Sequence, residues 1–152
     1  MKSDYYDIAY SDLLYLECDY YKTNYNPMVV QMQQIAEKML KSVLILISTD
    51  ETLFHSCNLR RIYNVIHKLQ SDFVLDQMEL AYLKDFYFEA RYPGDNFIVV
   101  SREYCIACLH IMYSVVIAVT EFRKRAGLNY YDVTEKYLEE SSEDNKSKKM
   151  KG

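Results

Sequence analysis

At 152 residues, half of them apolar, the chain is long enough for one domain with its own core and short for two. Three glycines and two prolines supply too few turns for a sandwich or barrel, which leaves long helices with few connections. A formal charge of −4 excludes a global basic field, and with it indiscriminate nucleic-acid binding, but leaves room for a local basic site.

The first helical pattern runs from about Asp4 to Tyr21. Ala9, Leu13, Leu16 and Tyr20 recur at three- and four-residue steps, and Asp12, Glu17 and Asp19 fall off that stripe. Thr23 to Pro27 is a break in which Asn26 suits a cap and Pro27 the first turn of the next helix. Met28 to Ser48 predicts a second helix. Met32, Ile35, Met39, Val43, Leu46 and Ile47 form its apolar face, and Gln33, Gln34, Glu37, Lys38 and Lys41 its polar one. Glu37 and Lys41 stand at pairing distance on that polar face, with Lys38 beside them.

After a loop at Ser48 to Thr52, a third helix spans about Asn58 to Leu69. It turns Leu59, Ile62, Ile66 and Leu69 inward and Arg60, Asn64, His67 and Lys68 outward. A fourth covers roughly Leu75 to Ala90, burying Leu80, Leu83 and Tyr87. It runs into Arg91-Tyr92 and is stopped by Pro93-Gly94, because proline cannot continue a helix. Arg91 therefore sits at a helix C-terminus. There it serves either as a structural cap or, if its guanidinium projects into solvent, as an anchor for phosphate or carboxylate.

Ser101 is a good N-cap for a fifth helix reaching about Arg125, apolar on nearly every side and expected at the centre of the bundle. Its longest apolar run, Tyr104 to Thr120, is broken by His110 and Ser114 and is short for a membrane span. Gly127 stops it. One or two further helical turns are expected around Val133 to Leu138, and Glu139 to Gly152 is too polar to fold alone. These segments predict an all-α bundle of about five helices over residues 1–127, followed by a short helical extension and a charged, disordered tail over 128–152.

In order and spacing these segments resemble the HEPN domain (higher eukaryotes and prokaryotes nucleotide-binding). Ala9 to Leu13 opens the first helix. Gln33 to Lys41 looks like the family's Gln-then-Glu-Lys-then-Lys second helix. His55, with Asn58-Leu59, is similar to its entry to the third. Tyr87 through Arg91-Tyr92-Pro93 resembles its hallmark after the fourth. The likeness spans about residues 5 to 125. It implies an up-and-down arrangement of the bundle, frequent homodimerisation and association with nucleotides or RNA, often beside a nucleotidyltransferase-like partner in prokaryotic toxin–antitoxin or defence loci. By the same analogy, Lys38, Lys41, His55 and Arg91 are the cations expected to converge on a phosphate, with Asn96 as a hydrogen-bonding neighbour.

One branch of the family is ribonucleolytic, through an arginine followed four to six residues later by a histidine. Here Asn96 and Phe97 stand at that distance and no histidine follows Arg91 until His110, so the proton-shuttling group is missing. Asn96 can hydrogen-bond but cannot move a proton at neutral pH. Arg61 to His67 matches the spacing, yet six residues on one helix put the two in different directions. Arg60, Asn64 and His67 share a face instead.

Cys105-Ile106-Ala107-Cys108, with His110, His55 and Cys57, has the residue types of a zinc site. Inside an apolar helix, however, these cysteines read as core. Four scattered cysteines with no secretory signal ahead of them point to a reduced, cytoplasmic setting. The chain has 16 tyrosines and no tryptophan. Tyr5, Tyr6, Tyr10, Tyr20 and Tyr21 of the first helix are candidates for packing, a partner surface or base stacking. No cofactor, metal or membrane is implied.

Three functions stay open. The first is a non-catalytic or regulatory HEPN protein binding nucleotide or RNA. The second is a metal-independent ribonuclease using Arg91 and His67. The third is a ligand-free interaction bundle.

Overall fold

The computed structural model describes residues 4–83 and 99–139. Asp4 opens the first helix: its Oδ1 accepts from the Tyr6 amide at 3.2 Å, satisfying an amide that the helix itself cannot. α1 (Tyr5–Glu17) buries Tyr6, Ala9, Leu13 and Leu16, the expected stripe, and Tyr20 is buried in the turn that follows. α2 (Tyr25–Ile47) begins earlier than the sequence suggests, with Pro27 still in its first turn. Asn26 does not cap it; its Oδ1 accepts from the Val100 amide at 2.8 Å and ties α2 to the approach to the fifth helix.

A short 3-10 helix (Glu51–His55) and α3 (Leu59–Leu69) follow, the latter capped by Asn58, whose Oδ1 accepts from the Arg61 amide. Asp76 then caps α4, whose described part is 77–83, with Oδ1 accepting from the Met78 and Glu79 amides. Leu80 and Leu83 are buried as expected; Tyr87 lies outside the described residues. α5 (Arg102–Arg125) has Ser101 as its N-cap, accepting from the Tyr104 amide. It ends where Gly127 takes a φ of +73°, the left-handed conformation that glycine adopts without a Cβ penalty. No strand occurs among the described residues.

Among the described elements α2 is a hub of the bundle. α1, α3 and α5 all pack against it, so α2 has neighbours on three sides. A helix so placed cannot keep a wide polar face. Gln33, Lys41 and Ser42 are buried, which corrects the two-faced reading that put Gln33 and Lys41 outside. Correspondingly, α5 keeps Ile106, His110 and Ile117 exposed. Among the described residues it is also the one helix long and apolar enough to cross a membrane, and over half of its apolar window is buried in the bundle.

Two further sequence expectations fail at helix ends. Leu46 and Leu69, placed in the core by periodicity, are half exposed. α1, with 13 residues, is about 20 Å long. α2, with 23, reaches about 35 Å, so its last turns run beyond α1. Leu69 is the last residue of α3, where the packed stripe stops.

The stretch after Gly127 is not helical. Residues 128–139 form an irregular strap across α1 and α5. Arg123 donates to the Asn129 carbonyl at 2.8 Å and to its Oδ1 at 2.7 Å. Tyr131 stacks on Tyr10 at 4.2 Å, and its amide donates to the Tyr6 hydroxyl. Lys136 pairs with Glu17, and Leu138 is buried. The Glu139 amide closes the strap on the Tyr20 carbonyl at 3.0 Å.

Candidate functional site

Lys38 and Lys41 leave α2 toward different neighbours. The Lys38 ammonium meets Asp12 of α1 at 2.6 Å, not Glu37, and about a third of its side chain remains exposed. Lys41 pairs with Glu37 at 2.9 Å as the spacing predicts, but in a buried setting. Gln33 continues that line: its Nε2 donates to Glu37 Oε1 at 3.3 Å and to the Cys57 carbonyl at 3.2 Å. Gln33, Glu37 and Lys41, one turn apart, thus clamp α2 to the segment that enters α3. Gln33 Oε1 has no partner and is the one such buried side-chain atom among the described residues. His55 ends the 3-10 helix and is exposed. Arg91 and Asn96 lie outside the described residues.

His67 does not sit free on the outer face of α3. Its Nδ1–H donates to the Phe73 carbonyl at 2.9 Å, and its ring stacks on Tyr63 at 5.6 Å. Tyr63 in turn accepts from the Leu75 amide at 2.9 Å. These two side chains hold the α3–α4 connection, a structural task for the imidazole. Arg60 and Asn64 of the same helix are exposed.

The cysteines divide by environment. Cys105 and Cys108 are fully buried, and desolvation pushes both thiols up to about 12. His110, two residues on, faces the opposite way and pairs with Glu135 of the strap at 2.9 Å. Among the described residues no three candidate ligands gather as a metal ion would require. The tyrosines named in the first helix divide as well: Tyr21 is exposed and Tyr5 half-buried. Tyr6 and Tyr20 are buried, and Tyr10 lies half-buried under Tyr131. The most exposed ring of α1 is Tyr15, which the sequence pattern did not single out.

Tyr15 borders a groove of about 290 Å³ between α1 and α2, lined also by Asp12, Gln31, Gln34 and Lys38. Two larger hollows flank His110. One, of about 420 Å³, runs between α4 and α5; the other, of about 480 Å³, lies beneath the strap. Of these three, the α1–α2 groove contains Lys38, one of the cations that the family resemblance places near a phosphate. Its Asp12 was visible there as a residue off the apolar stripe, but its pairing with Lys38 is a contact between two helices that no local spacing reveals.

Against known families, the model of the HEPN domain matches residues 3–122. The chain belongs to the HEPN domain family. The match covers α1 through all but the last turn of α5, so the helical architecture and the family order of motifs agree. No curated protein and no solved structure matches the chain. As a HEPN domain it keeps an arginine at 91 and lacks a histidine at 95–97, and the histidine nearest in spacing to another arginine, His67, is engaged in holding a turn.

Proposed function

We propose that this HEPN domain is a non-catalytic, regulatory binder of nucleotide or RNA. Arg91 and Asn96 supply contacts at the end of the fourth helix, and Lys38 and His55 contribute from the exposed surface. It acts as a homodimer in the cytoplasm, in a prokaryotic toxin–antitoxin or defence setting beside a nucleotidyltransferase-like partner. Lys41, buried against Glu37, supports the site through the Gln33–Glu37–Lys41 clamp rather than by direct contact.

The observation that carries the reading is a HEPN match over most of the chain in which Arg91 stands without its histidine. An anchoring cation with no proton shuttle binds without cutting. The bond from His67 to Phe73 supports the same side, since it commits the ribonuclease candidate's imidazole to the fold.

The test is binding of labelled single-stranded RNA and of a nucleotide panel, with light scattering to report oligomeric state. Wild type binds, Arg91→Ala binds at least tenfold more weakly, and RNA stays intact through prolonged incubation. Equal binding by both proteins overturns the assignment of Arg91. Cleavage in the presence of chelator, lost in His67→Ala, reinstates the ribonuclease.

A further inference from the structure

We propose that the α1–α2 groove around Asp12 and Lys38 is a subsite for an unpaired guanine base. This rests on the nucleotide or RNA reading above and sharpens it by naming the base. The argument begins with the charge. Lys38 is already neutralised by Asp12 at 2.6 Å, so the groove is a poor phosphate site, and the carboxylate repels an anion. What the pair offers instead is a strong donor beside a strong acceptor, both partly exposed.

Among the four bases, guanine fits that pattern best. Its Watson–Crick edge carries one acceptor, O6, next to two adjacent donors, N1–H and the N2 amino group. The carboxylate of Asp12 accepts both donors while the Lys38 ammonium donates to O6. Adenine and cytosine bring one donor group to the carboxylate, and uracil brings a single N–H between two acceptors. Asp12 Oδ1 takes part in no hydrogen bond among the described residues, which leaves it available for the second contact.

The surroundings suit a base. Gln31 and Gln34, one turn apart on α2, line the same groove, and their side-chain amides make no hydrogen bond among the described residues. Amides of this kind pair with the ring-nitrogen and ribose edges that remain. Tyr15 stands at the rim, 77% exposed, and stacks on no other ring of the described residues. It is a flat surface of the type that base faces cover. A hollow of about 290 Å³ has room for a base.

Calorimetric titration of the full chain with GMP, AMP, CMP and UMP tests this, alongside adenine-rich single-stranded octamers carrying one guanine or none. The expected result is roughly tenfold tighter binding of the guanine ligand within each set. Asp12→Asn, which places an amide donor or a single acceptor where two acceptors stood, removes that preference. Tyr15→Ala weakens every base alike. Circular dichroism checks that both variants keep the wild-type fold. Preference for the guanine octamer without binding of GMP assigns the subsite to RNA; preference in both sets assigns it to guanine nucleotides generally. Equal affinity for all bases, or a guanine preference that survives Asp12→Asn, overturns the subsite. If Arg91→Ala still weakens binding in that case, the broader reading stands. Absence of binding to every ligand overturns both.

Discussion

The Nη2 atom of Arg123 lies 3.0 Å from Oδ2 of Asp4, so the last turn of α5 is fastened to the residue that caps α1. The guanidinium is almost wholly buried. It sits 4.4 Å over the Tyr6 ring and also donates to Asn129, so one cation joins both chain ends of the bundle. Its Nε and Nη2 donors are met by Asn129 and Asp4, and that makes the burial tolerable.

Arg123→Ala is expected to cost about 3 kcal/mol, because it strands Asp4, frees the strap at Asn129 and leaves the Tyr6 face uncovered. Asp4→Ala removes an N-cap and leaves the buried guanidinium without its counter-charge, and should cost about 2 kcal/mol. Urea unfolding of both variants checks the ranking; equal losses would show that the cation's other contacts carry little.

A second buried network links α1 to α5. Tyr113 donates to Glu17 at 2.9 Å, and Tyr20 therefore donates to the Tyr113 oxygen at 2.7 Å. Burial raises the pKa of both phenols, so both remain protonated donors. Tyr20→Phe deletes the end of the chain and should cost about 1 kcal/mol, whereas Tyr113→Phe strands the buried Tyr20 hydroxyl and should cost about 2 kcal/mol. Chemical denaturation of the two variants decides the order.

The strap carries a pH-sensitive contact. Hydrogen bonding to Glu135 raises the His110 pKa, burial works against it, and the charges of Glu135 and Glu79 add to the rise. A raised folded-state pKa stabilises the fold fully below the ordinary imidazole value, and that gain is lost as pH climbs through the folded pKa. Wild type should therefore exceed Glu135→Gln in stability more at about pH 6 than at about pH 8. The side chain of His110 is more than half exposed, so the difference is small. Melting curves of both proteins at the two pH values test it, and NMR titration of His110 should show its pKa falling in Glu135→Gln.

Cysteine reactivity should split two and two. Cys18 and Cys57 are exposed, whereas Cys105 and Cys108 are buried with thiols held far from ionisation. A thiol reagent at neutral pH should modify the first pair in the native protein and the second pair on unfolding, as mass spectrometry of the peptides would show. Early labelling of Cys105 would mean that the core opens near the start of α5.

Helix existence was legible because each core stripe repeats over several turns: Ala9 to Leu16 and Leu59 to Ile66 need one partner surface each, and amphipathicity reports that. It misled for α2, where a helix surrounded on three sides buries Gln33 and Lys41 through contacts that no period encodes. His67 looked solvated because the Phe73 carbonyl that engages it arrives from the next connection. The strap escaped notice for a related reason. Helical turns were expected around Val133 to Leu138, but Tyr131 and Lys136 find partners on α1, and Glu139 in the turn after it, that keep the chain irregular. Arg91 was read from Pro93 and the family motif, whereas the Asp12–Lys38 pair depends on two helices meeting and needed coordinates.

The strap also gives the molecule two unlike poles. It finishes where Glu139 meets Tyr20 and where Arg102 donates to the Glu139 carbonyl at 2.9 Å, close to the point at which Val100 rejoins α2 through Asn26. Asp4 emerges at the far end, beside Arg123. An affinity handle attached ahead of Asp4 would therefore start from the α5 C-terminal pole, and cargo joined at Glu139 from the opposite one.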